Sequence, residues 1–189
     1  MNNFDQIEAV IGETDIFQYG IISPAEITYH QEIRDICAAN GCRQYAKTWA
    51  CPPAVGTIEA CKARCLQYDT MMLFSSKVAL EDSFDFEAMR EGMADFKRIA
   101  HDLEEKIAPF LRGYQILSNE GCGICAVCTY PHSPCRCPSK LHHAIEGYGI
   151  IVSEAAKKAG IAYNNGENTV TYFGALLFNN RKQNGMPRR

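Results

Sequence analysis

The sequence predicts an α/β or α+β fold in a single compact domain, a small mixed sheet with flanking helices and cysteine-rich loops able to bind metal. Three observations carry that reading. Between residues 84 and 110, Phe86, Met89, Met93, Phe96, Ile99, Leu103 and Ile107 recur at spacings of three and four, the period of an amphipathic helix. Shorter apolar runs at 71–78, 114–117 and 169–178 have the length and composition of strands. The chain of 189 residues suffices for one hydrophobic core and is short for two, and 47% hydrophobic with 22% charged residues is an ordinary globular composition. Helices and strands alternate too loosely to fix a strand order.

Taken in order, Ser23-Pro24 opens the first helix, with Ser23 as cap and Pro24 at the first helical position. It is predicted to pass through Ile27, Ile33 and Ile36 and to stop at Asn40-Gly41, where a left-handed residue can end it. Cys37 then falls in its last turn and Cys42 just beyond. An irregular stretch closes with Trp49-Ala50-Cys51-Pro52-Pro53, whose prolines exclude regular structure. Thr57 caps a second helix reaching Tyr68. A buried strand follows at 71–78, then the long helix, whose apolar stripe is read as core. A short strand is placed at 114–117 and a cysteine-rich loop at 121–138. Beyond it come a helix over 141–146, another capped by Ser153 and ended by Gly160, and two strands, 161–163 and 169–178, joined by a turn at 164–168.

A net charge of −3 gives no general attraction to nucleic acid or an anionic membrane. The basic tail within 179–189 reads as a solvated, frayed terminus. Residues 1–5 hold neither a positive leader nor an apolar stretch, and no run reaches the roughly 18 apolar residues a membrane helix needs. The expected location is the cytoplasm, where thiols stay reduced. Ten cysteines there call for something other than disulfides. They fall into two groups, Cys37, Cys42, Cys51, Cys61 and Cys65, then Cys122, Cys125, Cys128, Cys135 and Cys137, with none between 66 and 121.

In the second group, Cys122, Cys125 and Cys128 recur every third residue, a spacing that wraps irregular backbone around one face of a [4Fe–4S] cubane. The fourth ligand in such sites is commonly a more distant cysteine. Cys135 and Cys137, the latter directly before Pro138, are the candidates. Gly121 and Gly123 permit close approach of backbone N–H groups to cluster sulfur. Zinc is the alternative, although its thiolates more often come as two separated pairs. The first group is looser. Cys37, Cys42 and Cys51 read as ligands. Cys61 and Cys65, four apart on one helix face, read as small buried hydrophobes or as a reach-back fourth ligand.

Here a resemblance enters. The order Cys37, Cys42-Arg43-Gln44-Tyr45, Lys47, Trp49-Ala50-Cys51-Pro52-Pro53, then Gly121-Cys122, Cys125, Cys128, then Cys135-Arg136 with Pro138, then Glu146-Gly147-Tyr148-Gly149-Ile150 with Val152, resembles the DUF2284 family. That family is described as predicted metal-binding proteins of anaerobic bacteria and archaea, and the similarity runs over about residues 16–178. It implies Cys37, Cys42 and Cys51 as the first ligand set and Cys122, Cys125, Cys128 and Cys135 as the second, because the family motif ends Cys-Arg-x-Pro. Cys137 occupies a variable position. Two departures stand out: Ile151 where the family often has Asp, and Tyr148 where some members carry Cys. The resemblance supplies metal binding and no reaction.

Around these, His132, His142 and His143 read as loop or flanking residues with ligation as the alternative. Arg136 and Lys140 read as donors to cluster sulfur or an anion, or as solvated charges. Tyr45, Lys47 and Trp49 read as pocket lining or packing. No phosphate-binding loop, dinucleotide fingerprint or hydrolase triad is present. Three functions follow, in order. The first is electron transfer by one or two [4Fe–4S] clusters to a redox partner protein. The second is an enzyme whose three-cysteine cluster leaves one iron open as a Lewis acid for a small-molecule substrate. The third is a zinc-stabilised interaction module.

Overall fold

The computed structural model describes residues 2–119 and 121–180. Among the described residues five strands make one sheet in the order β1-β2-β5-β3-β4, and four of the five α-helices pack on its two faces, an α+β architecture. Its spine is the pair β2 (Thr70–Ala79) and β5 (Thr169–Phe178), antiparallel along their whole length from Thr70↔Phe178 to Ala79↔Thr169. β1 (Gln18–Ile22) pairs antiparallel with β2 and β3 (Gln115–Ser118) antiparallel with β5, while β4 (His143–Ala144) runs parallel to β3.

Side chains alternate across this sheet with a period of two, so each face has its own core. Met72, Phe74, Ile116, Leu176 and Phe178 point to one side. There they meet Ile7 and Ile11 of α1 (Asn3–Ile11) and Phe96, Ala100, Leu103 and Ile107 of α4 (Phe86–Ile107). Met71, Leu73, Leu117, Phe173, Ala175 and Leu177 point to the other. They meet Cys61 and Cys65 of α3 (Ile58–Cys65) and Ala155 and Ala156 of α5 (Val152–Ala159). β2 and β5 are therefore covered on both faces and read as continuous apolar runs. Gly92 lets α4 lie close to the sheet, since a Cβ there would come within 2.6 Å of Val78.

The long helix, both long strands and the short strand β3 stand where the sequence places them, within a few residues. Six expectations are corrected. Ser23 does cap a turn, accepting from the Ala25 N–H at 3.3 Å, but that turn is a single 3-10 stretch, Pro24–Glu26. Tyr29 then bridges Ile150, and α2 (Gln31–Ala38) starts afresh. Ile27 is buried while Ile36 is 66% exposed, so these isoleucines never shared one helical face. Phe86 stands at the solvent-exposed start of α4 rather than in its core stripe. The helix expected at 141–146 is instead β4 and a 3-10 turn, Glu146–Tyr148, which Gly149 ends at φ +80°. Ser153 lies inside α5, which starts after Ile151 without a side-chain cap. No strand forms at 161–163, because the Gln18 side chain takes both backbone groups of Ala162. Thr57 caps α3 as expected, and α3 ends at Cys65 rather than Tyr68. α1 and β1 lie where the sequence offered no assignment. Of the basic tail, residues 181–189 lie outside the described residues.

Candidate metal centre

β3 runs out at Ser118 and the chain does not rejoin the sheet until His143, so the second cysteine group lies on a long loop over the sheet's edge. Distant side chains fix it. Lys97 of α4 donates to the Gly121 carbonyl at 3.2 Å, and the Trp49 indole donates to the Ser133 carbonyl at 3.2 Å. Trp49 also meets Tyr130 edge-on at 4.9 Å between ring centroids. Arg136 donates to the Val127 carbonyl. Gly121 and Gly123 adopt φ of +67° and +77°, a left-handed backbone that suits glycine and curls the chain.

Held this way, Cys122, Cys125, Cys128, Cys135 and Cys137 line one cavity of about 600 Å³. Arg43, Lys47, Lys97 and Arg136 line it too, and no acidic residue does among the described residues. Burial pushes the Cys122 thiol up. The Ile124 N–H and Lys97 pull it back, while nearby Cys135 and Cys125 push it further. Several thiolates crowded together repel one another, and a metal core between them removes that cost.

The first group gathers in a second cavity of about 480 Å³. Cys37 at the end of α2, Cys42 beyond Gly41, and Cys51 before Pro52 line it together with Tyr45 and Glu146. Asn40 adopts φ +59°, the left-handed stop the sequence suggested, and its side chain accepts from the Tyr45 N–H at 3.0 Å. Arg34 ties α2 to the far wall by donating to the carbonyls of Gly147 at 2.7 Å and Gly56 at 2.8 Å. Burial raises the Cys37 thiol, and Cys42, Cys51 and Glu146 add to it against the pull of Arg34. Glu146, Lys97 and Met93 are site residues that the sequence reading does not single out, the last being assigned to the core stripe of α4. Glu146 was read only as part of a motif, although an acid ahead of Gly147-Tyr148-Gly149 was the available signal.

Cys61 and Cys65 lie elsewhere. Both are fully buried in the core under α3, where Cys61 sulfur faces the Arg64 guanidinium at 3.1 Å and the Val55 carbonyl at 3.5 Å. Burial carries Cys65 up to about 11, as befits an inert core thiol. His132 is exposed on the loop and lines neither cavity. The cavities share a wall, since Gln44 and Met93 line both. Cys51, Ala50 and Ala144 form one small cluster against which Cys122 packs.

His143 and Tyr148 brace the segment carrying Glu146. The Tyr148 hydroxyl accepts from Arg64 at 3.1 Å and from Gln115 at 2.6 Å, so its own proton goes to His143 Nδ1 at 2.8 Å. That bond fixes His143 as the neutral tautomer carrying its proton on Nε2. Burial, with Arg64 and His142 adding, lowers His143 to about 4.

All ten cysteines are unbridged thiols. Among the described residues, the three-residue group whose ligand atoms all lie within 4.8 Å of one another is His101, Glu104 and His142, not a set of cysteines. A family model described as a predicted metal-binding protein, DUF2284, matches residues 20–178. The chain belongs to that family. In this DUF2284 protein the matched segment spans both cysteine cavities. No curated protein and no solved structure matches the chain. Among the described residues no helix is long and apolar enough to cross a membrane.

Proposed function

We propose that this DUF2284 protein is a cytoplasmic iron–sulfur protein that transfers electrons, with one [4Fe–4S] cluster in each cysteine cavity. Cys122, Cys125, Cys128 and Cys135 close the second cluster, and Cys37, Cys42 and Cys51 hold the first. The observation that carries the reading is the convergence of unbridged thiols from separate segments on two cavities. Tetrahedral zinc with bonds of about 2.3 Å draws its sulfurs to about 3.8 Å apart, whereas a cubane spreads them over its corners. The four basic side chains around the second cavity suit a cluster whose four thiolates leave it anionic. Arg43, Lys47 and Arg136 are exposed, so the redox partner would present an acidic surface.

Glu146 favours a second reading for the first cavity. With Cys61 and Cys65 buried elsewhere, three thiols face one carboxylate. That set leaves one iron open to a small substrate and puts a base beside it, the Lewis-acid enzyme.

Iron and sulfide per chain after anaerobic assembly test the main reading. About eight irons with matching sulfide are expected. Zinc without sulfide would overturn it. Mild oxidation tests the open iron on which the second reading depends, since such a cluster loses that iron and yields a three-iron EPR signal that Cys37→Ser abolishes.

A further inference from the structure

Where α4 passes the starts of β3 and β4, a separate donor set converges. His101 and Glu104 stand one turn apart on one face of the helix. His142, the last residue before β4, is 7% exposed and leans against them. Its ring stacks on His101 at 4.3 Å between centroids. Both imidazoles address the same oxygen, Glu104 Oε2, with His142 Nε2 at 2.9 Å and His101 Nδ1 at 3.6 Å. The other carboxylate oxygen lies 3.5 Å from the Tyr114 hydroxyl, which orients it.

We propose that His101, Glu104 and His142 form a mononuclear site for a divalent transition-metal ion, separate from the cysteine cavities. A salt-bridge clasp needs one imidazole on one carboxylate oxygen; the second, aimed at that same oxygen, is surplus to a clasp and belongs to a coordination set. Metal bonds of about 2.0–2.1 Å in tetrahedral array put neighbouring donor atoms about 3.3 Å apart. The observed 2.9 and 3.6 Å bracket that figure. Two imidazoles and a carboxylate suit zinc, iron(II) or manganese(II) rather than the soft chemistry of the thiols. His101 and Glu104 also line a cavity of about 420 Å³, together with Tyr114 and Lys140, so an open coordination position faces solvent space. The site would take a water or another small ligand there, with Lys140 and Glu105 at its rim. Tyr114 would act as the outer partner that holds the carboxylate.

The test uses the full chain, purified anaerobically, and Mn²⁺ as the probe, because manganese binds thiolates poorly and leaves the cysteine sites out of the readout. Loss of the free-ion EPR signal at room temperature counts bound manganese. One Mn²⁺ per chain is expected, displaced by stoichiometric Zn²⁺. His101→Gln and Glu104→Gln should each weaken binding about tenfold or more. His101→Gln leaves the Glu104–His142 contact in place, so it decides the matter if Glu104→Gln does not fold. Wild-type protein that leaves the manganese signal untouched, or variants that bind like wild type, would overturn the site.

Discussion

Acid should weaken this fold through His143 in a predictable window. Burial, with Arg64 and His142 adding to it, lowers the ring from 6.5 to about 4 and keeps it neutral in the folded chain, where Nδ1 accepts from Tyr148. The unfolded chain takes up that proton near 6.5. The stabilisation is therefore complete above that pH and drains away as the pH falls to about 4, where the folded chain also protonates. At 1.36 kcal/mol per pH unit the full span is worth about 3 kcal/mol, of which about 2–3 kcal/mol goes between pH 7 and 4.5. Other groups titrate over the same range, so the measurement is a difference. Urea unfolding of the reduced, chelator-treated chain would be followed at pH 7 and 4.5 for wild type and for His143→Gln, which can still accept from Tyr148. With a urea slope of about 2 kcal/mol/M, the wild-type midpoint should fall by about 1 M more than the variant's. Parallel midpoints would refute the assignment of a neutral, Tyr148-bonded imidazole.

Ser replacement of Cys122, Cys125, Cys128 or Cys135 should each halve the iron and sulfide content of anaerobically assembled protein, whereas Cys137→Ser keeps it; deeper loss from Cys137→Ser would move the ligand to that residue. Changing Cys61 and Cys65 together to Ala should cost roughly 1 kcal/mol each for the lost packing and leave the iron count unchanged. If that pair empties the first site, four thiolates close it and the electron carrier gains over the enzyme.

Much of the architecture was legible because period and length spoke clearly. The spacing of Phe96, Leu103 and Ile107 buries those residues under β5 and β2, and Asn40 and Gly160 adopt the left-handed backbone at which their helices stop. What stayed hidden was set by tertiary contact. Ile27 and Ile36 looked like one helical stripe until Tyr29 paired with Ile150 and divided it. His143–Ala144 is too short a strand for any pattern to mark, and its pairing with β3 comes from the fold. At the candidate site, the grouping of thiols followed from their spacing. Glu146 sits 95 residues beyond Cys51, so only the folded chain brings it to the same cavity.

The wall shared through Gln44 and Met93 has an electrical consequence. On the proposed reading, two clusters on either side of this wall would not be filled independently, for an electron on one would raise the cost of adding another opposite. Clusters there would charge in two waves, and the order would be set by surroundings: Arg43, Lys47, Lys97 and Arg136 would draw the first electron to the loop side, while Glu146 would repel it from the other. The partition is thus a place where one half of the molecule can register what the other holds.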